Sequence, residues 1–159
     1  MNRLIFKLSL LIIIILIGYH SVSAEQTRKK INNKEYVIDT TKGKVYQSNK
    51  GDLKGFSSSG DLFEVNENSI VKNTFIKVLS KERITALKNK SLIVKLGCLP
   101  DGQVCNVIFF FSNEVFLTPE EIEKIETDLL SQKFLLSWNT KERRNVTFNY
   151  GVFMNRLLK

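Results

Sequence analysis

The chain has 159 residues, a formal charge of +8 from 24 Lys and Arg against 16 Asp and Glu, and a single histidine, His20. His20 falls in an N-terminal segment read below as a cleaved signal, so the mature chain holds no imidazole, which excludes Ser-His-Asp and Cys-His nucleophile systems, most zinc sites and the usual acid-base group near neutral pH. The positive charges are spread along the chain, the pattern of a soluble basic surface, and no cofactor site is expected.

Arg3 and Lys7 precede an apolar run over 8–17, which ends in the small residues Val22-Ser23-Ala24, the pattern of a secretory signal peptide. About ten to twelve apolar residues lie between Lys7 and His20, too few for a membrane span of roughly 20. Cleavage after Ala24 would remove residues 1–24 of the 159 and leave 135, with Arg3 and Lys7 lost and the charge reduced to +6. That length suits one domain with its own core. The first cysteine is Cys98, so lipid attachment at the end of the apolar run is excluded. The expectation is an exported protein, periplasmic or extracellular, with no integral span after cleavage and no lipid anchor.

Residues 25–34 are polar and charged without apolar period and read as a flexible N-terminal tail, ahead of a single domain over 35–159. Short strand-like runs at 36–38 and 44–46 flank a turn at Lys42-Gly43 and suggest a hairpin. From 47 to 60 the composition, with Gly51, Gly55, Gly60 and Ser57-Ser58-Ser59, is that of a loop. Residues 69–79 alternate weakly and fit either a strand or the start of a helix. Ser80 is placed to cap a helix over 81–88, with Ile84 and Leu87 on one face.

The second half carries stronger signals. Residues 92–96 and 104–111 are rich in β-branched and aromatic side chains around the turn Pro100-Asp101-Gly102, which predicts a hairpin. Thr118-Pro119-Glu120-Glu121 supplies an N-cap, a proline at the first helical position and a capping-box glutamate, while Leu117 and Ile122 are spaced for a hydrophobic staple. Ile122, Ile125 and Leu129 then mark the buried stripe of a helix over 119–132. Residues 134–138 and 146–154 read as strands flanking the charged turn Lys141-Glu142-Arg143-Arg144. Phe109, Phe110 and Phe111 make their strand apolar on both faces, so it is either covered by the N-terminal half or meets a partner.

The runs Ile93-Val94-Lys95-Leu96, Pro100-Asp101-Gly102-Gln103-Val104, Asn106-Val107-Ile108-Phe109 and Leu117-Thr118-Pro119-Glu120-Glu121, with Phe134 onward, follow one another in an order that resembles the TonB C-terminal-like fold. The resemblance covers about residues 91–156, and the whole chain is similar to a group of small secreted bacterial proteins of unknown function that share such a domain. It implies an antiparallel sheet of hairpin, helix and last strand. Departures limit what it carries. The chain has only two prolines, Pro100 and Pro119, where an energy-transducing TonB has a long proline-rich spacer, and Trp138 is followed by Asn139-Thr140 rather than proline. The resemblance thus implies the fold and no particular task.

Cys98 and Cys105 form a possible disulfide in an exported chain. If Asp101-Gly102 makes a two-residue turn, position 98 faces 105; if Pro100 starts a type I turn with a bulge at Gly102, as the TonB-like pattern implies, 98 opposes Val104 and 105 points away. A loop this short would add on the order of 2–3 kcal/mol, a structural role. Their spacing is no redox motif, and two thiols without histidine make a poor metal site. Glu120, Glu121, Glu123, Glu126 and Asp128 crowd one helix and suggest paired carboxylates of a hydrolase; helix-dipole complementation and a solvated face explain them more simply. Ser69-Ile70-Val71-Lys72 matches a Ser-x-x-Lys pattern without its partner motifs. Gly55 to Gly60 has phosphate-loop spacing with Asp61 where lysine is needed. Arg28-Lys29-Lys30 and Arg143-Arg144 lack an aromatic platform, read as solvated loops and give no nucleic-acid site.

These features together predict an α+β domain in which a three- or four-stranded antiparallel sheet is packed by the 119–132 helix, with a second helix near 81–88 and an irregular N-terminal subregion. The expected function is a non-enzymatic binding module of the bacterial envelope. It would take an envelope protein or peptide by strand addition at the edge Val146–Phe153, represented by Val146, Phe148, Tyr150 and Val152. The alternative is a structural protein that self-assembles as a homodimer, pairing through Phe109, Phe110 and Phe111, and a carboxylate-based hydrolase is more remote.

Overall fold

A computed structural model describes residues 26–50, 53, 55–58, 62–66, 68–112, 114–139 and 141–159. The expected signal peptide lies outside the described residues. Nine strands run in chain order: β1 (Gln26–Ile31), β2 (Lys34–Asp39), β3 (Lys44–Gln47), β4 (Ser57–Ser58), β5 (Leu62–Asn66), β6 (Ser91–Cys98), β7 (Val104–Phe111), β8 (Leu135–Trp138) and β9 (Val146–Phe153). Among the described residues three helices, α1 (Asn68–Val78), α2 (Lys81–Ala86) and α3 (Pro119–Leu130), and a 3-10 turn over Met154–Arg156 join these strands in an α+β fold. Seven strands form one sheet in the order β1-β2-β3-β7-β6-β9-β4, antiparallel except for β4 against β9, while β5 and β8 pair separately.

The β6–β7 hairpin is the centre of this sheet. Period-2 alternation puts Leu92, Val94, Leu96 and Cys98 of β6, with Val107, Phe109 and Phe111 of β7, on one buried face. Phe148 and Val152 of β9 and Val45 of β3 continue it sideways. Helix α3 closes that face with Ile122, Ile125 and Leu129, and α1 with Val71, Phe75 and Leu79. The capping box forms as the sequence predicts: Thr118 Oγ1 accepts from Glu121 N–H, and the Glu121 carboxylate accepts from Thr118 N–H. At the hairpin tip Gly102 has φ +91°, and an added Cβ would sit 1.9 Å from the Phe134 carbonyl oxygen. Only glycine permits this approach, which carries the Phe134 N–H to Gly102 C=O bond at 2.9 Å and ties the tip to the chain leaving α3.

Several expectations need correction. The sheet has seven strands, not three or four, because the N-terminal region forms β1 to β3 and β3 pairs with β7 through Val45↔Phe109 and Lys44↔Phe110. Residues 26–31 are an edge strand, not a flexible tail; β1 lacks an apolar period because its residues are exposed as far as Lys30, and only Ile31 is buried. Residues 69–79 take the helical alternative, since Val71, Phe75 and Leu79 recur every fourth residue and are all buried. The 134–138 strand does not pair with the last strand; β8 pairs with β5 instead. The helix expected over 81–88 ends at Ala86, capped at its start by Ser80, which accepts from Arg83 N–H at 3.1 Å.

Candidate functional site

The last strand combines a sealed side and an open one. β9 pairs along its whole length with β6, from Cys98↔Val146 to Ser91↔Phe153. Two bonds fix which residues point which way: Ser57 N–H donates to Asn145 C=O at 2.9 Å, and Met154 N–H donates to Lys90 C=O at 3.2 Å. Backbone groups of successive strand residues aim at opposite sides, so residues 146, 148, 150 and 152 bond toward β6 and Thr147, Asn149, Gly151 and Phe153 aim outward. β4 covers only Val146 and Thr147. Among the described residues no strand pairs with the outward groups of Asn149, Gly151 and Phe153.

The expected edge residues Val146, Phe148, Tyr150 and Val152 lie on β9 in the parity that turns toward β6 rather than outward. Their backbones bond to β6, and their side chains turn to the core. Phe134 stacks on both Phe148 and Tyr150 with centroids 6.0 Å apart in each pair. The Tyr150 hydroxyl has no hydrogen-bond partner among the described residues, and burial, with the nearby Cys98, pushes its pKa up to about 12. Strand parity could be read only once the β4 contact was known, which no local signal announced.

A groove of about 310 Å³ runs beside this open edge. Its floor is β9 from Asn149 to Phe153; Val71 and Lys72 of α1 form one wall and Arg156 and Leu157 the other. No acidic side chain lines it among the described residues, and the Arg156 guanidinium lies 4.7 Å from the centroid of the Phe153 ring. The opposite edge of the sheet differs in kind. β1 presents exposed Arg28, Lys29 and Lys30, a charged edge of the sort that discourages pairing.

On the sheet face away from the helices, the register sets Lys44, Phe110, Ile93 and Gly151 in one row. Ile93 is 48% exposed and Phe153 45%. The Lys44 ammonium lies 4.5 Å from the Tyr46 ring centroid and 5.9 Å from that of Phe110. Lys50, Leu53 and Phe56 lie against the same face at its other end: Asn106 Nδ2 donates to Lys50 C=O at 2.6 Å, and a Cβ on Gly97 would meet Leu53 at 2.5 Å and Phe56 at 3.0 Å.

Phe109 and Phe111 are core residues and Phe110 is half-buried on the opposite face; β7 lies between β3 and β6, pairing with β3 over 108–110 and with β6 along its length. Phe111 meets Phe116 edge-on with centroids 5.1 Å apart, and Lys44 lies 5.9 Å from the Phe110 centroid.

Cys98 and Cys105 are free thiols. The register takes the bulged alternative, Cys98↔Val104 after Gly97↔Asn106, and leaves Cys105 as the extra residue with its thiol on the Gly97 carbonyl at 3.3 Å. Burial pushes Cys98 up to about 12 from 9.0; it also raises Cys105, against an opposing effect of Lys50.

The acids of α3 do not form a solvated face. Glu126 is buried at 1% exposure; it accepts from the Tyr36 hydroxyl and lies 3.4 Å from Lys34 Nζ, while its Oε1 has no partner among the described residues. Glu121 takes both the Nε and Nη2 of Arg83, at 2.7 and 3.1 Å, and Asp128 pairs with Lys77 and Thr74. Lys34 serves both Glu123 and Glu126, Glu120 is exposed, and no group of three potential metal ligands occurs among the described residues. A signal for Glu126 was present: 122, 125, 126 and 129 are i, i+3, i+4 and i+7 of one helix face.

The remaining motifs stay apart. Ser69 is exposed on α1, and Lys72 enters the groove wall. Gly60 and Asp61 lie outside the described residues. Arg143 and Arg144 are exposed in the loop before β9, whereas Arg28-Lys29-Lys30 is part of a strand, with Arg28 3.4 Å from Glu35. No helix of the described residues is long and apolar enough to cross a membrane.

No protein-family model and no curated protein sequence matches the chain. Among solved structures the chain is similar to a DUF5043 family protein from Bacteroides uniformis ATCC 8492, with a TM-score of 0.64 and 16% sequence identity, covering 83% of this chain and 87% of that one. At that identity the likeness is one of fold.

Proposed function

We propose that this protein is an exported, non-enzymatic binding module of the bacterial envelope that takes an extended segment of a partner as a further strand on the outer edge of β9. The observation that carries the reading is the row of outward backbone groups on Asn149, Gly151 and Phe153, which no described strand pairs, beside a groove at the end of the sheet away from β1. Strand addition draws its affinity from such main-chain groups and its selectivity from the side chains around them. The order of hairpin, α3 and last strand that resembles the TonB C-terminal-like fold supports the same edge. Export to the periplasm or beyond follows from the signal-like N-terminus, and no nucleic-acid, cofactor or lipid-anchor role enters the reading.

Photo-crosslinking in the native cell tests it. A crosslinking side chain at Asn149 is expected to capture an extracytoplasmic protein that the same group at Lys30 on β1 does not. Equal capture from both positions, or from neither, overturns the proposal.

A further inference from the structure

The groove beside β9 also carries information about the chemistry of what it receives. An added strand alternates its side chains between the two faces of the sheet. On the helix side they would enter the space bounded by Val71, Lys72, Arg156 and Leu157, and on the other they would lie over Phe153 and toward Ile93. The helix side is apolar at its base, since Val71 and Leu157 are buried, and cationic at its rim. Among the described residues Lys72 and Arg156 meet no carboxylate in the groove and form no ion pair, and Glu121, Glu123, Glu126 and Asp128 are held by Arg83, Lys34 or Lys77.

A second copy of this chain fits poorly. Two β9 edges paired about a two-fold axis would bring two sets of Lys72 and Arg156 to one interface, like charges in a chain that is already strongly basic. An acidic segment meets the opposite condition.

Resting on strand addition at β9, we propose that the partner is an acidic extended peptide segment, one that alternates apolar residues with Asp or Glu and sets a carboxylate beside Lys72 and Arg156. The carboxylate supplies the counter-charge the groove lacks. The apolar positions fill the space over Val71 and Leu157, and the main chain takes the free groups of Asn149, Gly151 and Phe153. Arg156, already resting on the Phe153 ring, is held where a carboxylate at the end of the added strand would meet it.

The test uses the whole chain and a random peptide display library as probe, selected against the natural protein and counter-selected against Gly151→Pro, which deletes one outward N–H at an edge position where proline is tolerated. Gly151→Ala serves as the folding control: its Cβ meets only the movable Phe153 ring, at 3.1 Å, and it keeps the N–H. Enriched peptides should carry Asp or Glu at alternate positions, bind Gly151→Ala like the natural protein, and lose about tenfold or more in affinity to Lys72→Glu or Arg156→Glu, with part of the loss recovered when the peptide acids become Lys. Enriched peptides that depend on Gly151 N–H yet show no acidic preference and no response to charge reversal would leave strand addition standing and overturn the acidic partner. Failure to enrich any peptide that distinguishes the natural protein from Gly151→Pro would overturn strand addition itself, and the acidic partner with it.

Discussion

Tyr36 and Glu126 show how much one buried pair can hold. They join β2 to α3 across the core, both almost without exposure, and Lys34 is the cation paired with the carboxylate among the described residues. Burial, followed by the hydrogen bond to Glu126, holds the Tyr36 hydroxyl well above the ordinary tyrosine range, so it remains a donor at any ordinary pH. Tyr36→Phe keeps the ring and removes the donor from a carboxylate whose other oxygen already lacks a partner. The expected cost is about 1–3 kcal/mol, read as a lower urea midpoint at unchanged slope. An unchanged midpoint would show that the bond contributes nothing net. The thiols make a second residue-scale contrast. Cys98 is buried and pushed to about 12, whereas Cys105 is half-buried beside the hairpin bulge. In the native protein an alkylating reagent should modify Cys105 first and Cys98 only on unfolding. Because the Cys98 thiol ionises later folded than unfolded, its contribution also lowers stability as pH rises from 9.0 toward 12. Equal alkylation rates for both thiols would contradict the burial assigned to Cys98.

At the scale of elements, α3 was legible and β1 was not, and the difference is physical. The start of α3 is written in neighbouring residues: cap, proline, capping-box acid and staple all act within one turn. Thr118→Ala should cost about 1 kcal/mol, seen as a lowered thermal midpoint, and a shift indistinguishable from zero would deny the cap its role. The helix is also tied to its surroundings by charge. Burial pulls Glu121 upward, but its bonds to Arg83 and Thr118 outweigh that and hold it below 4.5; burial likewise opposes Lys77 and Thr74 at Asp128, which ends below 3.8. Both folded values are depressed, so these pairs stabilise fully above the unfolded values and are lost as pH falls through the folded ones. Urea midpoints should hold steady down to about pH 5 and fall below 4.5, and Arg83→Met, which severs the Glu121 pair, should flatten part of that fall. An acid limb identical in the variant would place its origin elsewhere. β1 lacks any such local text. Its strand state comes from pairing with β2, Lys29↔Tyr36 and Thr27↔Ile38 among others, and a strand with no buried face carries no period to read.

At the scale of the whole molecule the pairing is what local patterns could not supply. The β3–β7 junction makes one seven-stranded sheet from two segments more than sixty residues apart, Val45 against Phe109. One end of the sheet is β1 with its row of cations, and toward the other lies β9, which β4 covers at Val146 and Thr147 and which the groove flanks from Asn149 to Phe153. If the cations of β1 keep that end from pairing, their removal has a predictable result. Replacing Arg28, Lys29 and Lys30 together by threonine keeps strand propensity and removes three positive charges, so the variant should associate with itself as concentration rises in sedimentation velocity, while Gly151→Pro in the same background should leave that association intact because it acts at the other end. Association cancelled by Gly151→Pro would mean that the two ends pair with each other, head to tail. No association at all would mean that β1 is protected by its shape or by the contact with α3, and the contrast between a guarded and an unguarded edge would lose its basis.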